Sequence, residues 1–271
     1  KDLKPYEVEA ADQGKQCKVH TTLQAVSRDA AIINHTASMS YYGGANNTSL
    51  HGLNKGKSMD LDMVGAYGTA MCTTPEIDFA GPIIHIESGE VWTQKTLAKY
   101  GVDERRFSAC TAEVEFEFPA GSRLACMPVH AGNGVIFPRK GTTNCSGNDI
   151  MAALYMGAKV TIISGSIPSI KSNVTALSGF TKTLLADRDA LAKHNLKGGA
   201  LDQFVKLAIN SVYGKLVQGN SQMNPGTSNA GNPNVGPSSI YAITQATMVT
   251  AFIRRMLYET MHEATKRGCK I

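Results

Sequence analysis

Nowhere among the 271 residues does an apolar run approach the roughly 20 residues that a membrane-crossing helix needs. The first ten residues, KDLKPYEVEA, contain no apolar signal core, so secretion and membrane anchoring are not what the start of the chain describes. A starting methionine is also lacking, and we read the chain as a processed product or an excised piece of a longer protein. Cysteine is present at 17, 72, 110, 126, 145 and 269, but no C-x-x-C pair occurs and no histidine pair stands at zinc spacing. These are read as unpaired thiols in a reducing compartment. The net charge of +5 leans toward an anionic partner, yet the positive charges are dispersed and form no basic block. No internal repeat is visible.

What is present is a globular balance, 42% hydrophobic and 18% charged, long enough for one large or two ordinary domains with a proper core. Residues 1 to about 56 read as an irregular, polar lead-in. Leu61, Met63 and Val64 around two acids suggest a short buried strand that breaks at Gly65. In CTAEVEFEFPAG the residues alternate, with Val114, Phe116 and Phe118 on one face and Glu113, Glu115 and Glu117 on the other, a half-buried strand. The NGVIFPRKG segment is its natural hairpin or meander partner. SGNDIMAALYMGAKVTIISG predicts a capped helix stopping at Gly157 and a strand from Lys159 to Ser164. From Phe180 the pattern is helical to about Asn195, breaks at KGG, and resumes from Ala200 to about Leu216. Residues 218 to 239 are a loop rich in Gly, Asn and Pro. A last helix follows, with Ala242, Ala246, Val249, Ile253, Met256, Leu257 and Ala264 on one face, ending at Gly268; Cys269 to Ile271 look like the first residues of a strand. This order predicts an α+β fold with a helical projection.

One run within the projection is out of keeping with its helix. In KLAINSVYGK, the consecutive residues Asn210, Ser211, Val212, Tyr213 and Gly214 cost a helix roughly 2–4 kcal/mol relative to alanine, so something other than helix stability selects them. With Leu201 at zero on a wheel of ~100° per residue, Phe204, Val205, Ala208 and Val212 fall within about 60° of it and form the expected buried face. Gln203, Lys206, Asn210 and Tyr213 line the opposite side. A cation, an amide and a phenol in one column suit phosphate, sugar and base in sequence, and Gly214 lets a bulky group approach the backbone.

KLAINSVYG fits K-x-x-x-N-S-x-Y-G at every specified position and resembles motif B of family B DNA polymerases, the fingers helix that meets the incoming nucleotide. DMVGAYGTAM is similar to motif A, D-x-x-S-L-Y-P-S, with Gly65, Ala66, Gly68 and Thr69 departing from it. Asp60 is the rival acid; the spacing to Tyr67 favours Asp62. YYGG resembles the Y-x-G-G segment that touches template. The resemblance runs in order from about residue 41 to the end, and Y-x-G-G with compact fingers resembles the protein-primed phage, plasmid or organelle branch.

The resemblance implies a family B palm, an antiparallel sheet with helices, and a helical fingers projection. Its divisions are 1–57 leading into the palm, 58–165 its first part, 166–217 the fingers, and 218–271 a long palm helix. The exonuclease, the motif C strand and the thumb are expected to be absent. It implies template-directed transfer of a nucleotidyl group from a dNTP to a primer 3′-hydroxyl, using two Mg²⁺ ions, or Mn²⁺ in their place. Asp62 and the Met63 carbonyl would hold metal. Lys206, Arg188 and Lys193 would meet the phosphates, Tyr67 the sugar, and Asn210 and Tyr213 the nucleotide pocket. Tyr41, Gly43, Gly44, Ser211 and Gly214 would lie against DNA. Primer–template DNA, dNTPs and, in the protein-primed branch, a terminal protein primer would be the partners. The setting would be the cytoplasm of a bacterial or virus-infected cell, or an organelle. One carboxylate cannot hold two metals, so the isolated chain is expected to be inactive. Two other readings compete: a non-catalytic nucleic-acid-binding protein of polymerase-like shape, and a different phosphoryl transferase whose second acid is Asp60, Asp149 or Glu113.

Overall fold

The computed structural model describes residues 6–12, 15–21, 28–45, 56, 62–93, 95–132, 134–175, 177–218 and 238–270. Asp60 and Leu61, most of the predicted loop after Gln218, and Ile271 lie outside them. The lead-in is not irregular as the sequence suggested. Strands β1 (Tyr6–Asp12) and β2 (Lys15–Thr21) pair antiparallel, and helix α1 (Arg28–Met39) follows. Ala30, Ile33 and Ala37 form the buried stripe of α1, a helical spacing diluted in the sequence by polar neighbours.

Residues 62–65 are not the expected buried strand. They form an open approach and a turn, with Val64 86% exposed, and helix α2 (Ala66–Thr73) starts at once. Strand β3 (Pro75–Asp78) comes next, then β4 (Ile84–Ile86) and β5 (Val91–Trp92), and two single-turn helices, α3 (Thr96–Lys99) and α4 (Glu104–Phe107). The alternating segment is β6 (Thr111–Glu117), with Val114 and Phe116 buried while Glu115 and Glu117 are exposed.

β6 pairs with only the end of NGVIFPRKG, Gly141 opposite Phe116 and Lys140 opposite Glu117, where the next strand begins. Its apolar part forms β8 (Gly134–Ile136), which pairs with β7 (Val129–Ala131). The partners of β6 are β9 (Lys140–Ser146) and β10 (Lys159–Ile167). A longer ladder with β9, from Thr111↔Ser146 to Glu117↔Lys140, outweighs the shorter sequence separation to β8. β4 and β5 share the other edge of β10, which completes a five-stranded antiparallel sheet. The chain leaves it through β11 (Ser169–Thr175), paired with β3.

Between β9 and β10 runs helix α5 (Gly147–Tyr155), started by a capping box in which the Ser146 hydroxyl accepts from the Asn148 amide and Asp149 accepts from the Ser146 amide. Gly157, at φ 85°, ends that turn of chain as expected. The projection is an antiparallel pair, α6 (Ser178–Lys193) and α7 (Ala200–Val217), turned by Asn195 and Gly198 at positive φ. The last helix, α8 (Ile243–Lys266), packs on α1, α2, α5 and α7.

Trp92, Phe107, Phe116, Met127, Ile150 and Ile162 fill the core beneath the sheet and α5. α8 buries the first part of the expected stripe, Ala246 and Val249, and departs from it further on: Met256 and Leu257 are exposed, whereas Arg254 and Tyr258 are buried. Its first turns also bury threonines, because they bond to α1. Thr244 donates to Asn34 Oδ1 (3.1 Å), and Thr247 donates to the Ala37 carbonyl (2.9 Å). After Gly268, Cys269 and Lys270 take no regular structure, so no strand begins at the described residues there. The described cysteines at 72, 110, 126, 145 and 269 are all free, and no described helix is long and apolar enough to cross a membrane. The architecture is α+β, helices on an antiparallel sheet, with a helical hairpin at one side.

Candidate nucleotide and nucleic-acid site

Asp62 stands exposed just ahead of α2, with Met63 half-buried beside it. Gly65 turns the chain at φ 59°, a left-handed value that a residue with a Cβ adopts at a cost. The turn places Tyr67 in the first helical turn. Gly68 follows, buried; a Cβ there would lie 3.3 Å from both Ile209 and Leu185. A departure from motif A is thereby given a local reason, since α2 sits tight against α6 and α7.

The Tyr67 ring stacks on Tyr213 of α7, centroids 4.4 Å apart at 29°. The Tyr213 hydroxyl lies 2.7 Å from the hydroxyl of Tyr41, two residues beyond the end of α1. Three segments far apart in sequence, YYGG, DMVGAY and KLAINSVYG, therefore meet at one cluster of three tyrosines. Burial raises the Tyr213 and Tyr41 phenols above the ordinary value, so both stay protonated near neutrality and share the hydrogen bond as neutral groups.

α7 is rotated from the expected wheel by roughly 90° at ~100° per residue. Its buried residues are Asp202, Val205, Ile209, Leu216 and Val217, while Leu201 and Phe204 are 57% and 66% exposed. Apolar content alone did not distinguish the stripe that meets α2 and α8. Tyr213 accordingly leaves the open column for its half-buried edge. Lys206, Asn210, Ser211 and Gly214 remain exposed, and nothing lies within 4 Å of a Cβ built on Gly214. Lys193 is exposed at the end of α6. Arg188 donates its Nε to Asp202 (2.7 Å), whose other oxygen accepts from the Gly198 amide (2.9 Å).

Next to the tyrosines is a residue that the motif reading missed. Arg254 of α8 is 1% exposed; Nε and one amino group donate to Asp149 at 2.9 and 2.8 Å, and the other amino group donates to the carbonyls of Tyr42 and Gly43, both at 2.7 Å. A pair of arginines inside an otherwise apolar stripe, AFIRRM, was the available signal. Tyr42 adds a hydroxyl contact to Thr143 (2.8 Å) and stacks on His130, and burial pushes its phenol up to about 12.

Asp149 is thus the acidic half of the α5 capping box, and both of its oxygens are engaged by Arg254. Glu113 is half-buried on β6. Among the described residues no group of three His, Cys, Asp or Glu comes together to hold a metal. Asp62 offers one hard oxygen ligand, and the described residues do not complete a site for two ions.

No family model matches the chain. Over 230 residues it is 29% identical to the primer-independent DNA polymerase PolB of Escherichia coli, covering 82% of this chain and 25% of that protein. The chain thus spans a quarter of the length of that curated relative. In fold it is similar to phi29 DNA polymerase complexed with primer–template DNA and incoming nucleotide substrates, with a TM-score of 0.55 at 16% identity, covering 89% of this chain and 41% of that one. The post-translocation binary complex of phi29 DNA polymerase with primer–template DNA gives a TM-score of 0.53 at 17% identity, over 85% and 40%. The resemblance to family B DNA polymerases is borne out by these likenesses, and the fold is similar to that of about two fifths of the phi29 enzyme.

Proposed function

We propose that this chain, similar in sequence and fold to family B DNA polymerases, supplies the first part of a palm (58–165), the fingers (166–217) and a palm helix (218–271) for template-directed transfer of a dNTP's nucleotidyl group to a primer 3′-hydroxyl. The observation that carries the reading is the meeting of Tyr41, Tyr67 and Tyr213, which joins three independently recognised motifs at one place.

The roles follow from position. Lys206 and Asn210, on the open side of α7, meet the triphosphate and the base, with Lys193 adding charge. Arg188, oriented by Asp202, faces the same partner. Tyr67, fixed by its stack on Tyr213, closes the space at the sugar's 2′ position. Gly43 and Gly44, with Ser211 and Gly214, lie along primer–template DNA. Magnesium, held at Asp62 and the Met63 carbonyl, would neutralise the phosphates. Because the described residues furnish only one carboxylate there, what they support by themselves is binding and positioning.

That same shortage favours a second reading, a nucleic-acid-binding protein of polymerase shape without catalysis. The two are separated by anisotropy of a labelled template-overhang duplex, titrated with complementary and mismatched dNTPs, followed by primer extension with Mg²⁺. Complementary dNTP is expected to tighten the complex selectively, and the 271-residue chain is expected not to extend the primer. Indifference to the matching nucleotide supports the second reading; extension would mean that a second metal acid is already present.

A further inference from the structure

Helix α2 carries Tyr67 in its first turn, and its other end, at Thr73, borders a cavity of about 330 Å³. That size is at the lower end of the range that small-molecule sites occupy. α4 with Ser108 after it, the start of α5 and the middle of α8 supply the other walls.

Among the described residues, two donors on these walls have only weak acceptors. Arg255 gives Nε to Glu259 (2.7 Å) and Nη2 to Glu104 (3.2 Å), but Nη1 meets only the thioether sulfur of Met151 (3.1 Å). Asn148 is 2% exposed, and its amide nitrogen lies 3.5 Å from the Met248 carbonyl, at the limit of a hydrogen bond. A buried donor so poorly met costs stability unless a ligand satisfies it. Arg105 is also on the wall, so two guanidinium groups stand there against the one carboxylate of Glu104.

The rest of the lining differs in character. The hydroxyls of Thr73 and Ser108 donate to the carbonyls of Ala70 (2.9 Å) and Arg105 (2.7 Å), which leaves their oxygen lone pairs as acceptors. Met248 and Phe252 add a thioether and an aromatic ring. Donors for an anion, acceptors for hydroxyl groups and an apolar wall with a ring match the three parts of a nucleotide.

We propose that this cavity binds a mononucleotide, with its phosphate on Arg255, Arg105 and the Asn148 amide, its sugar hydroxyls donating to Ser108 and Thr73, and its base against Phe252 and Met248. A bare phosphate would leave the apolar wall and the acceptors unused. A nucleoside without phosphate would leave Arg255 Nη1 on sulfur. None of these residues belongs to the three motifs that meet at the tyrosine cluster.

The test uses the 271-residue chain labelled with ¹³C at its methionine methyls. Met248 lines the cavity and Met151 touches Arg255, whereas Met63 stands beside Asp62, ahead of the other end of α2. Titration with AMP is expected to shift the Met248 and Met151 methyls together and to leave Met63 in place. Inorganic phosphate and adenosine should each bind about tenfold more weakly or worse, and Arg255→Gln should weaken AMP about tenfold with a cooperative melt retained, the loss of one charge-assisted hydrogen bond. Should that variant not fold, Arg105→Gln is measured in its place with the same expected loss. Met248 and Met151 methyls unmoved by millimolar AMP overturn the proposal, as does a shift confined to Met63. Phosphate or adenosine binding as tightly as AMP also overturns it, and so does a folded variant whose affinity for AMP equals that of the wild type.

Discussion

Arg188 Nε lies 2.7 Å from the carboxylate of Asp202, fastening the last turns of α6 to the first turn of α7. The hydrogen bond from Arg188, aided by the Gly198 amide, holds the Asp202 carboxyl below its ordinary value. A depressed folded-state value means that the stabilisation is complete above the unfolded value, near pH 4, and drains away as pH falls through the lowered one. We expect the thermal advantage of the wild type over Asp202→Asn to be constant around neutrality and to close under acid. An advantage that persisted unchanged at pH 2.5 would show that the pair contributes through packing rather than charge.

Lys206→Ala should leave duplex binding nearly intact and raise the concentration of matching dNTP needed to tighten the complex by about ten- to a hundredfold, the worth of one charge-assisted hydrogen bond. The side chain is exposed and on the open side of α7, so the fold should not register the change. Equal nucleotide dependence in variant and wild type would dismiss Lys206 from the triphosphate.

For Tyr67→Val the measured quantity is a ratio, the affinity of the duplex complex for a matching dNTP against the matching ribonucleotide. Loss of the ring that stacks on Tyr213 opens the 2′ side, and the preference for the deoxy form should fall. Should the ratio stay as in the wild type, the sugar is sensed by another group.

Gly147→Ala addresses the fold alone. A Cβ at this first residue of α5 would lie 1.9 Å from the Phe107 carbonyl oxygen, and the Gly147 amide itself donates to Cys110 (2.8 Å). Backbone cannot yield there as a side-chain tip does. A loss of about 3 kcal/mol or more is expected by denaturant titration, at the upper end of overpacking costs. An unshifted midpoint would place α5 differently from its position against Phe107.

The helices from Phe180 onward, the capped α5 and the two-sided β6 were legible because each rests on local periodicity or capping. Motif B was legible as a motif but not as a surface. Leu201 and Phe204 face outward and Val205 and Ile209 inward, a choice made by α2 and α8 and absent from the helix's own composition. The hairpin β1–β2 and helix α1 were missed because polar residues mask their spacing, and the partner of β6 was placed too early, since only the last residues of NGVIFPRKG join the ladder. Arg254 was invisible for a related reason: its partners, Tyr42, Gly43 and Asp149, come from segments that only the folded chain brings near.

The contact from Arg254 to the Tyr42 carbonyl spans 212 positions, and Tyr41 meets Tyr213 across 172. During synthesis neither can form until residue 213, for the tyrosines, or residue 254, for the arginine, has left the ribosome. Closing so long a loop is also entropically late compared with the local turns of α5 or the α6–α7 hairpin. The sheet and hairpin can therefore be assembled before the tyrosine cluster closes, and the contacts of Arg254 that fix the chain after Tyr41 come last. A nascent chain arrested before residue 254 would hold all three tyrosines and yet lack the arginine that fastens the chain after Tyr41 to Asp149, which separates assembly of the scaffold from locking of the tyrosine cluster in time.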